Sequence, residues 1–198
     1  AGQSWRIPPC SQRGERTMNA SAIRKMVVTA LVGHTDAGDR VYSPRDWPTS
    51  AALYPALLVQ TPFDHKKAQG RNTPAFTTVT TVRITGRVQE YDGETDDDGA
   101  MRAETALEDL REQVERAVIN SYELTRKIQK YAEIRSTIDV DGEGEAHLGQ
   151  LLFEIDIEHY QGPEDFYPID PPPLEGIDIT VTMPDGTPPP GISINLQE

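Results

Sequence analysis

The chain has 198 residues, 36% of them hydrophobic and 26% charged, and a formal net charge of −13. That length holds one domain of about 140 residues plus tails. The negative balance excludes general binding to nucleic-acid phosphates, which needs a dense cationic footprint. No apolar run approaches the roughly 20 residues of a bilayer-spanning helix, and the N-terminus lacks the short apolar core of a secretory signal, so a soluble chain of intracellular origin is expected.

The charge is unevenly placed. Residues 1–88 carry 12 Lys and Arg against 5 Asp and Glu, a balance of +7; residues 89–198 carry 7 against 27, a balance of −20. Such a split points to assembly with partners. Cys10 is the only cysteine, so the chain alone can form neither an internal disulfide nor a thiolate metal site. Residues 1–17 show no periodicity, contain Pro8-Pro9 and end just before Met18; they read as a flexible leader.

The first helix is expected after Asn19 or Ser21, either of which can accept a hydrogen bond from a first-turn amide. Ile23, Val27, Ala30 and Leu31 recur at helical spacing, and Gly33 is a natural stop. A turn-rich stretch leads to a short strand at Val41, Tyr42 and Ser43, cut off by Pro44. Ala56, Leu57, Leu58 and Val59 form a compact apolar run that fits a strand buried on both faces. Residues 63–75, with Lys66, Lys67, Gly70, Arg71 and Pro74, read as a mobile basic loop.

Phe76 to Val88 is the longest expected strand, rich in the threonine and valine that a pleated surface favours. The acidic connector from Asp92 to Gly99 precedes a second helix over 100–121, with Ala103, Leu107, Leu110, Val114 and Val118 as its dry stripe. Aspartates there suit a helix N-terminus. Ile134, Ser136, Ile138 and Val140 alternate as a strand. Leu151, Phe153, Ile155 and Ile157 alternate against Glu154, Asp156 and Glu158 in the clearest half-buried strand of the chain. After Gly162, prolines 168 and 171–173 form an extended linker. Two strands follow, carried by Ile177, Ile179 and Val181 and by Ile192 and Ile194, with the Asp185-Gly186 turn signal between them. Two strands alone are marginal in water, so this hairpin arm is expected to pair with a sheet edge of its own or a neighbouring subunit.

Catalytic patterns fail one by one. With Gly99 as the glycine of an EF-hand loop, the bidentate position falls on Thr105; starting from Asp139, it falls on Gln150. Neither supplies the glutamate that calcium needs. Gly142, Gly144 and Gly149 lie between two strands and read as a hairpin turn, whereas a dinucleotide cradle joins a strand to a helix. The four histidines show no metal-ligand spacing, and no G-x-S-x-G elbow occurs. No cofactor or metal is expected, and no enzyme is nominated.

The order of motifs resembles a known family. A helix is followed by Arg40-Val41-Tyr42, then Tyr54-Pro55-Ala56-Leu57-Leu58-Val59, a Thr-rich strand and a helix full of Glu and Leu. Ile138-Asp139-Val140-Asp141-Gly142-Glu143-Gly144 then leads into Gly149-Gln150-Leu151-Leu152-Phe153-Glu154-Ile155. Over residues 18–161 this resembles the tail terminator, or tail completion, proteins of long-tailed bacteriophages (minor tail protein U-like). The leader at 1–17 and the proline-rich linker and hairpin arm at 162–198 have no counterpart in it.

The resemblance implies a homo-oligomer, a hexameric ring that caps the tail tube at the head-proximal end of the virion tail. Such a ring ends tube polymerisation and offers the surface that joins the head. Its partners are the tube protein and a head-completion or connector protein; genomic DNA passes through the bore without specific binding, and no membrane is involved. The subunit would be made in the host cytoplasm. A head-tail connector or closure ring is the structural alternative, and a small metal-dependent hydrolase the alternative from another class.

The expected fold is α+β, with a mixed, mainly antiparallel sheet of four to five strands, two packed helices and the C-terminal β-hairpin arm. Head-to-tail rings use two different patches per subunit. The expected interface residues are Arg45, Trp47, Lys66, Lys67 and Arg71 on the basic side and Glu108, Glu112 and Glu115 on the acidic side. Trp47 fits a subunit anchor or a loop residue closing over its own core.

Overall fold

The computed structural model describes residues 18–43, 53–72, 74–93, 98–141, 146–166, 176–180 and 191–195. The elements run α1 (Ala20–Leu31), β1 (Val41–Tyr42), β2 (Ala56–Ala68), β3 (Phe76–Tyr91), α2 (Gly99–Ile119), α3 (Tyr122–Thr125), β4 (Lys130–Asp141), β5 (Ala146–Gln161), α4 (Pro163–Phe166), β6 (Gly176–Thr180) and β7 (Gly191–Asn195). Five strands form one mixed sheet in the order β1-β2-β3-β5-β4, with only β1–β2 parallel. The α+β class and the mainly antiparallel sheet are as expected. Among the described residues the two expected helices are joined by the one-turn α3 and α4.

The Asn19 side chain accepts from the Ala22 amide at 2.9 Å and starts α1. Gly33 ends it with φ +73°, a conformation that costs glycine little and other residues much. The turn that follows is tied to α2 by a reciprocal pair. The Asp36 amide donates to Gln113 Oε1 at 2.8 Å, and Gln113 Nε2 donates to Asp36 Oδ2 at 2.8 Å.

Both helices lie on one face of the sheet. Ile23, Val27 and Leu31 of α1 and the full expected stripe of α2 are buried against Leu57, Val59, Val82, Ile84, Leu151, Phe153, Ile155 and Ile157. Gly149, expected in a turn, lies instead inside β5 opposite Val88. A Cβ there would stand 2.6 Å from Leu107 Cδ1 and 2.9 Å from Val88 Cγ2. The missing side chain lets α2 settle onto the sheet.

The expected basic loop at 63–75 is overturned for its first half. β2 continues to Ala68, paired antiparallel with β3 from Phe63↔Thr81 to Ala68↔Phe76. A register shift between Gln60 and Phe63 carries the strand past Pro62, because a bulge is where a sheet tolerates proline. The chain divides into two compact units after Phe166, five residues later than the expected boundary. In the second unit β6 and β7 pair antiparallel, with Ile177↔Ile194 and Ile179↔Ile192. Val181 lies outside the described residues.

Candidate functional site

Strand alternation divides the sheet into a helix-covered face and an open one. On the open face, Arg83 of β3 reaches Glu154 of β5 with Nε at 2.9 Å. Arg135 of β4 lies 3.1 Å from Glu133, 3.3 Å from Asp156 and 3.6 Å from Glu154. Asp156, then Glu133, holds the Arg135 guanidinium above its ordinary pKa. Lys130 and Glu158 extend the line at 3.4 Å. The stripe crosses three strands and uses both signs in turn. Its three cations meet four carboxylates, Glu133, Glu154, Asp156 and Glu158, leaving no positive field to attract a polyanion.

Among the described residues, no further strand pairs with either end of the sheet. β4 pairs only with β5, and β1 is two residues long, so among the described residues it covers β2 only at Leu57 and Leu58. Pro62, Lys66 and Lys67 on one edge and the charged residues of β4 on the other are what native edges use against indiscriminate pairing.

On the helix side, α1, α2 and α3 frame a cleft of about 630 Å³. Met26, Ala30 and Ala117 supply apolar walls, Lys25, His34 and Arg116 line it as well, and the strongly exposed Tyr122 stands at its margin. At the start of α2, Asp98 makes no side-chain cap. Asp92 acts in its place: its Oδ1 accepts from the Gly99 amide at 3.0 Å and lies 2.9 Å from His147 Nε2. The carboxylate thereby caps the helix and joins it to the first residues of β5.

The expected interface residues separate in space. Lys66 and Lys67, neighbours in a strand, point to opposite faces of the sheet. Lys66 donates to Gln161 Oε1 at 2.7 Å on the helix-covered side; Arg71 is exposed beyond the strand end. Glu112 pairs with Arg116, and Glu108 lies 4.0 Å from Arg111, all on α2. Glu115 is exposed on the same helix. Arg45 and Trp47 lie outside the described residues.

Sequence reasoning missed the Asp92–His147 latch and the Arg83–Glu154–Arg135 stripe, whose members are brought together only by strand register. Among the described residues no group of three or more His, Cys, Asp or Glu is placed to hold a metal ion, and no helix is long and apolar enough to cross a membrane. No family model and no curated protein matches the chain.

Proposed function

We propose that the chain is a structural virion subunit, a tail terminator that assembles as a ring of about six copies on the phage tail tube, stops its growth and presents the head-joining surface. The observation that carries this reading is where the resembling segments fall. Val41-Tyr42 pairs beside the start of β2, which holds Ala56-Leu57-Leu58-Val59, and Gly149 to Ile155 forms the middle of β5 against β3. The segments that carry the resemblance are the framework of one sheet.

Surface complementarity, rather than a reacting group, then does the work. Each subunit offers two unlike edges and an acidic helix, and unlike patches are what a head-to-tail ring requires. Opposite charges on neighbouring copies guide encounter more than they add affinity. The C-terminal strands act as an arm whose two-stranded sheet gains a further strand from a neighbouring copy.

Electron microscopy of the purified protein at low and high salt tests the reading. Rings of about six subunits, formed more slowly at high salt, are expected from the full chain, and fewer rings from a chain ending at Phe166. A persistent monomer that turns over a substrate would sink it. Rings that bind the head rather than the tube would favour a head-tail connector.

A further inference from the structure

The helix-covered face is not apolar throughout. Toward the C-terminal end of β5 the core gives way to six polar side chains on adjacent strands: Asp64 and Lys66 of β2, Thr78 and Thr80 of β3, His159 and Gln161 of β5. Thr78, Thr80, His159 and Gln161 are buried. Gln161 is the hub. Its Oε1 accepts from Lys66 Nζ at 2.7 Å and from Thr78 Oγ1 at 2.9 Å, and its Nε2 donates to the Met18 carbonyl at 2.7 Å. Thr80 Oγ1 donates to Asp64 Oδ1 at 2.6 Å.

Two chain segments are fastened here. Met18 is the strap that leads into α1. On the other side, Phe166 of α4 meets the Phe76 ring edge-on at 5.5 Å and lies 5.3 Å from Lys66 Nζ. The Gly162 amide donates to Asp165 Oδ2 at 2.9 Å.

His159 sits in the middle, opposite Thr78, with 0% exposure and no well-formed hydrogen bond to either ring nitrogen, the Ile157 main chain lying near enough to favour the cation but not placed to make one. An imidazole enclosed this way is tolerated neutral and penalised when charged. The charged groups that reach it are Asp64 and Lys66 from β2 and Asp165 from α4; Thr78 and Thr80 of β3 carry no charge. Arg24 of α1 donates to Thr61 Oγ1. Burial lowers the His159 pKa, outweighing the Ile157 main chain, Asp64 and Asp165, which favour the cation, while Lys66 opposes it.

We propose that His159 is an acid trigger: taking up a proton opens this polar cluster and releases the Met18 strap and the Phe166 cap from the sheet, leaving the apolar core closed. A buried imidazolium needs an acceptor. Neither Asp64 nor Asp165 is hydrogen-bonded to the ring in the closed form, although each carboxylate keeps a free oxygen, so charging the imidazole makes the side chains around it rearrange to bring an acceptor to it, or lets water enter.

The sign follows from linkage. Above about pH 6.5 the ring is neutral in both closed and open forms and nothing is lost. As pH falls below that, the open form binds the proton more readily, so the closed form loses stability until the pH passes the lowered value.

Hydrogen exchange on the full chain from about pH 7.5 to pH 5, corrected for intrinsic rates, provides the test. Protection at Gln161, Gly162 and Asp165 should fall by up to about tenfold for each pKa unit of depression, while Phe153 and Ile155 hold theirs. His159→Gln should abolish the pH dependence. Flat wild-type protection, or an equal fall in H159Q, overturns the proposal. Should H159Q fail to fold, the NMR titration of His159 in the wild type decides: a midpoint below about 6.5 with the exchange change supports it, and one at or above that value overturns it. None of these outcomes depends on ring formation.

Discussion

The two faces of the same five strands obey different physics. On the covered face, Phe153, Ile155 and Ile157 meet α1 and α2 and are almost wholly buried. On the open face, the intervening Glu154, Asp156 and Glu158, partly shielded themselves, pair with the more exposed Arg83, Arg135 and Lys130. One strand thus writes both a stability code and a surface code, one residue apart. The covered face should hold nearly all the folding energy and the open face nearly none, because buried area counts and exposed ion pairs mostly do not.

The sharpest way to break that contrast is Phe153→Ala. Phe153 is 1% exposed and heads the largest fully buried side chains. Removing the ring loses its transfer energy and leaves a cavity, for an expected cost of about 3–5 kcal/mol. That is a large share of a domain's roughly 5–15 kcal/mol. Urea unfolding should show a much lower midpoint at a similar slope; a loss under about 1 kcal/mol would mean that the helices are not what stabilises the sheet.

Gly149→Ala probes the same face by overfilling it. The new methyl would overlap Leu107 and Val88, so α2 must lift or both side chains must turn, at about 1–3 kcal/mol. Thermal unfolding checks it, and an unchanged midpoint would show that α2 rides loosely over β5.

What could be read in advance divides along the same line. The α2 stripe and the β5 alternation announce themselves because burial repeats at 3.6 or 2 residues. The strand at 63–68 does not, since Asp64, His65, Lys66 and Lys67 interrupt any apolar period. It forms because the long Thr-rich β3 supplies an extended partner, a tertiary effect that overrides local pattern. Gly149 read as a turn because a glycine near Gly142 and Gly144 looks like punctuation, and only the close approach of Leu107 reveals its other use. Asp92 and His147 are 55 residues apart, and Arg83 and Glu154 are 71 apart; no local signal links such pairs.

The smallest expected effect comes from Arg83→Ala, the open-face counterpart of Phe153→Ala. Arg83 and Glu154 approach to 2.9 Å, but the arginine side chain is 41% exposed, so water and salt screen the attraction and ordering the long side chain offsets part of it. Glu154 also keeps Arg135 as a neighbour at 3.6 Å, so the carboxylate is not left alone. The expected change is about 0–1 kcal/mol, shrinking with added salt. A loss above about 2 kcal/mol, unaffected by salt, would mean that the stripe is covered in the folded protein, and the open face would then have to be counted as a second buried layer.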